Sequence, residues 1–444
     1  MAADDVSAMR ESPEWLAALA AELAALPQTT LWVGFSGGLD STVLLHALAS
    51  LPQARERGLR ALHVDHGSGG HSAHWARHCR AFASRLGIEA QVVRANVRDV
   101  AKHGLEGAWR RARHEAFAEA LPENSLLALA QHRDDQVETL LLRLLHSAGH
   151  EGLAAMRKIR PLRSRDSTRW LWRPLLDVPR SRLREYAQMH GLDCIDDPAN
   201  HDPRHARTRL RTRVLPALRD AFPDADARIA AAATRLREEA DALHEVARQF
   251  IQTHRDANDA SLPARELVRL PNALRREAVS RWLDELGLPR PPAATWSRIV
   301  PELIEAAPDA DACLRWNGAQ LRRYRDRVFA LAPFDESPTF TLDWDGCAPL
   351  RLPQGLGTLH IEPAPSEPQR WQVRNREGGE RLRLGGMHRS LKHLMQQAAL
   401  PPWRRGRVPL LFDTRGELLA AGEMIGDGLQ SWLAARQARL IYRE

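Results

Sequence analysis

The residues best suited to chemistry near the amino terminus form a short glycine loop. It consists of Ser36, Gly37, Gly38, Leu39, Asp40 and Ser41. An apolar stretch precedes it at 30–35, and apolar residues at helical spacing follow it at 42–49. Glycines between a strand and a helix let the backbone approach a phosphate group, which the free N–H groups and the helix dipole then bind. The loop lacks the lysine of a Walker A motif, so it predicts a nucleotide-phosphate site of another kind, in which Asp40 could help to hold Mg²⁺.

Two further segments supply polar residues that could serve a nucleotide site. Asp65 and His66 end the second predicted strand, where adenine or ribose would lie. Arg110 and Arg113 follow Glu106 by four and seven residues, which puts all three on one helical face. The arginines are either a surface ladder or a bidentate clamp on a phosphate.

A third segment concentrates acids at the start of a helix. It contains His132, Asp134, Asp135 and Glu138. Helix capping explains one acid, but three acids beside a histidine at a strand end exceed that need. We therefore interpret the segment as part of a site.

Alternating strands and helices must position these residues. The patterns predict strands at 30–35, 59–64, 89–93 and 125–130, separated by helices, which is typical of a mainly parallel α/β sheet. Ligands of such sheets bind at the carboxyl ends of the strands, where the segments that start at Ser36, Asp65 and His132 all fall.

The rest of the chain has a different character. Helices are predicted at 224–255 and 274–286, a hairpin at 312–331 and a β-rich end. We predict a doubly wound, mainly parallel α/β domain over 1–216, a mainly helical domain over 217–335 and a small α+β domain over 345–444.

Composition and charge favour a soluble protein with a polyanionic partner. The 444 residues carry a net charge of +7, and basic runs recur at 154–173, 201–219 and 370–407. Ordinary solvated helix faces are the alternative interpretation of these runs. The sequence shows neither a signal peptide nor a membrane span, so we expect a cytoplasmic protein. The four cysteines form no Cys-x-x-Cys pair, which argues against a zinc ribbon or paired redox site.

The motifs together resemble a known family. The glycine loop is similar to that of the N-type ATP pyrophosphatases. With VDH at 64–66, the arginine helix and HRDDQVET at 132–139, it resembles the tRNA(Ile)-lysidine synthase family. The resemblance extends along the chain through WRPLL at 172–176, DDPANHD at 196–202, LRRYR at 321–325, LKHLM at 391–395 and PPWR at 401–404.

This resemblance implies a ligase with ATP as substrate and Mg²⁺ as cofactor. Free L-lysine would be joined to the wobble cytidine of a tRNA(Ile) with a CAU anticodon, through an adenylated cytidine. The implied catalytic residues are Asp40, Arg110, Arg113 and Asp135; the lysine-binding or general-base candidates are His132, Asp134, Asp135 and Glu138; the tRNA-binding residues are Arg207, Arg211, Arg213, Lys392 and Arg404. Trp403 and Tyr324 are expected to pack in the core rather than to stack on RNA, and no protein partner is implied.

Some features depart from the family pattern or allow rival interpretations. Gln131, His146, Ser147 and Thr208 replace residues that are usual in the family. Two functions are alternatives to a lysidine-forming ligase: a tRNA-thiolating enzyme of the same superfamily and a tRNA-binding protein without activity. His71, His74 and His78 share a helical face and are either a zinc site or polar surface.

Overall fold

The computed structural model describes residues 13–65, 72–96, 100–146, 149–163, 166, 168–196, 202, 204–307, 312–334, 339–353 and 355–443. Of residues 100–106 and 150 it describes only the backbone. The chain forms two compact units, Met1–Leu243 and His244–Glu444.

A six-stranded sheet organises the first unit. Its strands in chain order are β1 (Thr30–Gly34), β2 (Arg60–Asp65), β3 (Glu89–Arg94), β4 (Ser125–Ala128), β5 (Ile159–Pro161) and β6 (Arg169–Trp172). Their order in the sheet is β3-β2-β1-β4-β6-β5, and only the edge strand β5 runs antiparallel. The carboxyl ends of β1, β2, β4 and β6 therefore share one edge of the sheet.

Helices cover both faces of this sheet. The helices of the first unit are α1 (Glu14–Ala25), α2 (Leu39–Ala49), α3 (Pro52–Glu56), α4 (Ser72–Arg85), α5 (Val100–Ala120), α6 (Arg133–Leu145), α7 (His150–Leu153), α8 (Arg180–Met189), α9 (Ala206–Arg209), α10 (Leu215–Ala221) and α11 (Ala225–His254), which continues into the second unit. Leu31 and Val33 of β1 pack with α2 and α8, whereas Trp32 packs with α5 on the opposite face. Alternate side chains of a strand point to opposite faces, which explains why β1 is apolar almost throughout.

The second unit begins with helices and an antiparallel sheet. The elements are β7 (Leu262–Pro263), α12 (Ala264–Arg269), α13 (Asn272–Leu286), α14 (Ala293–Arg298), β8 (Cys313–Trp316), β9 (Ala319–Tyr324) and β10 (Arg327–Leu331). The predicted hairpin at 312–331 is thus a three-stranded meander, because the chain turns again at Arg325, which has a φ of +54°.

Short antiparallel strands and helices complete this unit. They are β11 (Thr341–Trp344), β12 (Leu350–Arg351), β13 (Thr358–Glu362), β14 (Trp371–Arg374), β15 (Arg381–Leu384), β16 (Met387–Ser390), α15 (Leu391–Gln397), α16 (Pro402–Arg405), β17 (Leu410–Phe412), β18 (Leu418–Ala421), β19 (Met424–Ile425), α17 (Asp427–Ala434) and β20 (Arg439–Arg443). Two apolar clusters fill the space between them.

The predicted fold class is confirmed: a mainly parallel α/β domain precedes a helical region and an α+β region. Among the described helices, none combines the length and apolar character needed to cross a bilayer. The domain boundaries given above remain predictions.

Candidate active site

The glycine loop joins the carboxyl end of β1 to the first turn of α2. The hydroxyl oxygens of Ser36 and Ser41 lie 3.0 Å apart. The Ser41 hydroxyl donates to the Gly38 carbonyl at 3.0 Å, and the Gly38 N–H donates to Ser36 Oγ at 3.3 Å. Both serines therefore lie at the start of α2, whose first N–H groups and positive dipole end favour a bound anion.

Gly37 brings this loop close to the chain behind it. Its φ of +82° is left-handed, a conformation that costs a residue with a Cβ roughly 1–2 kcal/mol. A Cβ here would lie 2.7 Å from Ile195 Cδ1 and 3.1 Å from Cys79 Sγ. The Ile195 N–H also donates to the Gly37 carbonyl at 2.9 Å. Glycine alone satisfies both the backbone angle and the close approach.

Cys79 lies buried beneath the loop as a neutral thiol. Its sulfur is 3.4 Å from His63 Nδ1, and burial raises its pKa to about 12. Since the thiolate is the reactive form of cysteine, Cys79 is unsuited to nucleophilic chemistry at neutral pH. None of the four cysteines forms a disulfide.

A histidine and three carboxylates meet beside the loop. His132 is only 2% exposed. Its Nε2 lies 3.6 Å from Asp40 Oδ2 and 3.4 Å from Asp135 Oδ2, and its Nδ1 lies 3.8 Å from Asp134 Oδ1. The Asp135 carboxylate also accepts the His132 backbone N–H at 3.1 Å, so it caps α6 as well. The structure thus joins the glycine-loop acid to the acidic helix, which are almost a hundred residues apart in sequence.

The charges in this group stabilise one another. Burial acts to lower the pKa of His132, but Asp135, Asp40 and Asp134 together raise it. Burial likewise acts to raise the pKa of Asp40, and contacts with His132 and Arg180 lower it overall. The charged imidazolium of His132 beside an ionised Asp40 is therefore favoured.

Arg180, which the sequence patterns did not single out, connects two of these acids. Its Nε lies 3.2 Å from Asp40 Oδ1, and its backbone N–H donates to Asp134 Oδ1 at 3.0 Å. Arg219 Nη2 also donates to Asp134, at 2.9 Å. The pKa of Asp134 is lowered, since these contacts and His132 outweigh burial. The sequence around Arg180 gives no signal of a pairing that spans 140 positions.

Glu138, one turn further along α6, is fully buried and faces two arginines. Arg211 binds it through two hydrogen bonds, Nε to Oε1 at 2.7 Å and Nη2 to Oε2 at 3.0 Å. Arg207 Nε lies 3.2 Å from Oε2. Arg211 Nη2 also lies 3.9 Å from Asp135 Oδ1. The structure therefore brings Glu138 and Asp135 together with two arginines that the sequence had suggested for tRNA binding.

Several cations of the first unit lie close enough together for arginine charges to lower the pKa of some of them. They are Arg110, Arg113, His114, Arg143, Arg160, Arg173 and Arg207. We call them the basic cluster. Burial and neighbouring arginines lower the pKa of His114 to about 4 and that of Arg173 to about 9. Burial is the larger cause of both shifts, and the remaining repulsion between the cations favours a bound polyanion.

Comparison with known proteins places these features in a family. A PP-loop domain profile matches residues 13–218, a TilS substrate binding domain profile matches 262–329, and a TilS substrate C-terminal domain profile matches 371–440. A tRNA(Ile)-lysidine synthase from Xanthomonas campestris pv. campestris (strain 8004) is 41% identical, covering 95% of this chain and 97% of its own.

This chain belongs to the tRNA(Ile)-lysidine synthase family. Relatives of the same name from Xanthomonas axonopodis pv. citri and Alkalilimnicola ehrlichii are 42% and 40% identical. They cover 95% and 98% of this chain, and 96% and 97% of their own. Among solved structures, a tRNA thiolase from Methanococcus maripaludis aligns over 51% of this chain and 79% of its own, with 18% identity and a TM-score of 0.41; this likeness carries no functional argument.

Two of the departures from the lysidine synthase pattern make local contacts, and a third is buried. Gln131 Oε1 accepts Arg173 Nε at 2.9 Å, which fixes one cation of the basic cluster. The His146 ring bonds the Leu142 carbonyl at the end of α6. Thr208 is buried. Ser147 lies outside the described residues.

The remaining candidates of the first unit are two for the nucleotide site, Asp65 and His66, and one for tRNA binding, Arg213. Asp65 ends β2 and accepts the Ser72 hydroxyl at 2.5 Å. His66 lies outside the described residues. Arg213 is exposed one turn beyond Arg209, away from the buried contacts of Glu138.

The candidates in the second unit divide into surface and core. Lys392 is exposed and Arg404 is half-buried. Trp403 is 3% exposed and packs against Phe329 and Tyr324, with ring centroids 5.4 and 6.2 Å apart. The predicted core packing is therefore confirmed for Trp403, whereas Tyr324 is half-buried against it.

The proposed histidine metal cluster is described only in part. His78 Nδ1 lies 3.7 Å from Asp193 Oδ2, and His74 is exposed. Within the described residues, neither histidine belongs to a group of three atoms close enough to share an ion. His71 lies outside the described residues.

Proposed function

We propose that this chain joins free L-lysine to C2 of the wobble cytidine in a CAU-anticodon tRNA(Ile), with ATP as the second substrate. The observation that carries the proposal is family membership along nearly the whole chain, at 41% identity over 95% of its length. The meeting of a phosphate loop, a buried acidic group and a basic cluster in one unit is the chemistry that such a ligase needs.

The first step is adenylation of the cytidine. The cytosine C2 oxygen attacks the ATP α-phosphorus, a P–O bond forms, and pyrophosphate leaves with the electrons of the broken bond. The backbone N–H groups and serine hydroxyls of residues 36–41 bind the departing pyrophosphate. Arg113 and Arg110 neutralise charge at the α-phosphate, a role that their shared helical face and lowered pKa values support.

The second step is attack by lysine. Its ε-amine forms a bond to C2 of the activated cytidine, and AMP leaves. Lysine arrives as a cation, so it needs carboxylates to bind it and a base to take its proton before attack. Asp134 is held by Arg180 and Arg219, and Glu138 is held by Arg211. Asp135 makes its strongest contacts with His132 and is our candidate for the proton acceptor.

Mg²⁺ is the proposed metal cofactor, with Asp40 as its protein ligand. Asp40 is ionised, a quarter exposed and part of the glycine loop itself. Its carboxylate oxygens suit a hard cation, which is usually held by one or two carboxylates together with substrate phosphates. When bound, Mg²⁺ offsets negative charge on the ATP phosphates. Arg180 and His132 hold the Asp40 carboxylate in position.

The tRNA is proposed to follow basic surface in both units. The candidates for phosphate contacts are Arg213, Lys392 and Arg404. The other two tRNA-binding candidates, Arg207 and Arg211, contact Glu138 of α6. Such contacts make tRNA affinity fall steeply with salt. A tRNA-modifying enzyme works where tRNA is used, and we propose a cytoplasmic location.

The alternative functions are not favoured. A tRNA-thiolating enzyme of this superfamily would need reactive sulfur, whereas Cys79 beneath the loop is a neutral thiol. A tRNA-binding protein without activity would have no use for ionised Asp40 and a His132–Asp135 pair beside an intact phosphate loop.

Pyrophosphate release by the purified protein tests the proposal. ATP is supplied with CAU-anticodon tRNA(Ile), with and without free lysine, and with the methionine tRNA as control. We expect release that requires the isoleucine tRNA. If no pyrophosphate is released with either tRNA, the proposed ligase activity is contradicted.

An acid-to-amide variant tests the role of Asp135. We expect Asp135→Asn to bind ATP normally but to lose turnover, because an amide cannot accept the proton from lysine. Asp224→Asn is the matched control, since Asp224 is exposed and pairs only loosely with Arg228 at 3.8 Å. Full turnover in Asp135→Asn would rule out this role.

A further inference from the structure

Glu138, one of the acids that could bind a lysine ammonium, is already occupied by arginine. Both oxygens of Glu138 bind the Arg211 guanidinium, at 2.7 and 3.0 Å. Arg207 adds a third contact at 3.2 Å. A two-pronged guanidinium contact is stronger than the contact an ammonium makes with one carboxylate. Free lysine therefore cannot reach Glu138 unless Arg211 leaves it.

The backbone that carries Arg211 is anchored, so only its side chain needs to move. The segment Leu210–Val214 is a turn of π-helix between α9 and α10. Leu210 and Leu215 pack against Val137 of α6 in a small apolar cluster. The Arg211 side chain is 32% exposed, so it can swing from Glu138 towards solvent. Single π-turns often occur at functional sites.

Arg207 connects the Glu138–Arg211 pair to the other members of the basic cluster. It lies against Glu138 on one side, and its Nη2 donates to the Thr139 hydroxyl at 2.7 Å. On the other side its charge lowers the pKa of Arg110 and Arg113. A phosphate bound there would relieve this repulsion and compete with Glu138 for the guanidinium groups.

We propose that Arg211 is a gate residue, which fills the ammonium position of the lysine site until a bound phosphate group draws Arg207 and Arg211 away from Glu138. This inference rests on the proposed function. The phosphate comes either from ATP or from the tRNA backbone. The gate makes lysine binding follow binding of the phosphate-bearing substrate, so that the amine does not occupy the site before that substrate has bound.

Binding of labelled L-lysine to the full-length protein tests the gate. Equilibrium dialysis is done on the protein alone, with a non-hydrolysable ATP analogue, and with tRNA(Ile). For the wild type we expect the dissociation constant to fall about tenfold with the phosphate source that operates the gate, as expected for release of a charge-assisted contact. The arm that produces the fall identifies ATP or tRNA as the source.

Arg211→Gln should bind lysine about tenfold more tightly than wild type in the absence of either phosphate source, since its amide competes weakly for Glu138. Arg211→Lys keeps the charge without the two-pronged contact. Its dissociation constant for lysine should therefore lie between those of the wild type and Arg211→Gln. If loss of charge beside buried Glu138 prevents the glutamine variant from folding, lysine binding by Arg211→Lys tests the gate instead. Arg182→Gln is the matched control, because Arg182 pairs with Glu185 on the exposed side of α8.

Two failures are distinguishable. Lysine binding by both Arg211 variants that is no tighter than wild type would overturn the gate, even if the wild type incorporates lysine into tRNA. A wild type that binds ATP and tRNA(Ile) but incorporates no lysine would instead overturn the proposed function.

Discussion

Replacement of Gly37 by alanine tests whether the phosphate loop depends on a close backbone approach. Gly37 and Gly58 both have left-handed backbones, with φ of +82° and +68°. A Cβ at Gly37 would lie 2.7 Å from Ile195 Cδ1, whereas a Cβ at Gly58 would meet no atom within 4 Å. The two substitutions therefore share the backbone strain and differ in the collision.

The magnitudes follow from this difference. Left-handed backbone costs an alanine roughly 1–2 kcal/mol, which we expect as the loss of unfolding free energy in Gly58→Ala. Overpacking adds typically about 1–3 kcal/mol, so Gly37→Ala should lose roughly 2–5 kcal/mol in total. Entropy lost by the unfolded chain is similar in both variants and cancels in the comparison.

Activity separates the variants further. Relief of the collision must shift residues 36–41 or Ile195, and a displacement of about 1 Å in an active site can lower the rate about 100-fold. Urea unfolding would measure stability, and tRNA-dependent pyrophosphate release would measure activity. We expect Gly58→Ala to retain wild-type activity and Gly37→Ala to lose about 100-fold. If Gly37→Ala keeps the activity of Gly58→Ala, the phosphate loop does not work as described.

Three further predictions concern charge and packing. The raised pKa of His132 contributes stability that is fully present below its unfolded pKa of about 6.5 and is lost as pH rises through the higher folded pKa. The loss of unfolding free energy in His132→Gln should therefore be larger at about pH 6 than at about pH 9. Equal losses at the two pH values would contradict this. The pKa of His114 is about 4, and NMR titration should show it rising when inorganic pyrophosphate binds the basic cluster; an unchanged value at saturation would argue against an anion site. Trp403→Ala should lose about 3–5 kcal/mol of unfolding free energy. Lys392→Gln should change the unfolding free energy by no more than about 0.5 kcal/mol and reduce the salt slope of tRNA binding by about 1. The reverse pattern would contradict the assignment of Trp403 to the core and Lys392 to the surface.

Much of the first unit could be predicted from sequence because its signals are local. The strand at 30–35 and the helix after it are separated by glycines, and both appear as β1 and α2. The parallel sheet then brings the carboxyl ends of β1 and β4 together, as the alternation of strands and helices predicts. The hairpin at 312–331 was incomplete, because its second turn depends on Arg325 in a left-handed conformation, which arginine rarely adopts.

The ion pairs of the candidate site could not be predicted in the same way. Arg180 reaches Asp40, and Arg211 reaches Glu138, across 140 and 73 positions. No local pattern encodes such pairs, since they depend on how α8 and the π-turn pack against α2 and α6. Arg211 in a basic run suggested a phosphate contact, whereas the folded chain pairs it with a buried acid.

Labelled lysine incorporation tests the central claim most directly. The purified protein, ATP and Mg²⁺ are incubated with CAU-anticodon tRNA(Ile) or with the methionine tRNA, and the recovered tRNA is digested to nucleosides for mass spectrometry. We predict that the label enters only the isoleucine tRNA and that the lysine is attached to the wobble cytidine. Label that stays out of the isoleucine tRNA, while the protein still binds ATP and tRNA, would contradict the assignment of this chain as a lysine–tRNA ligase.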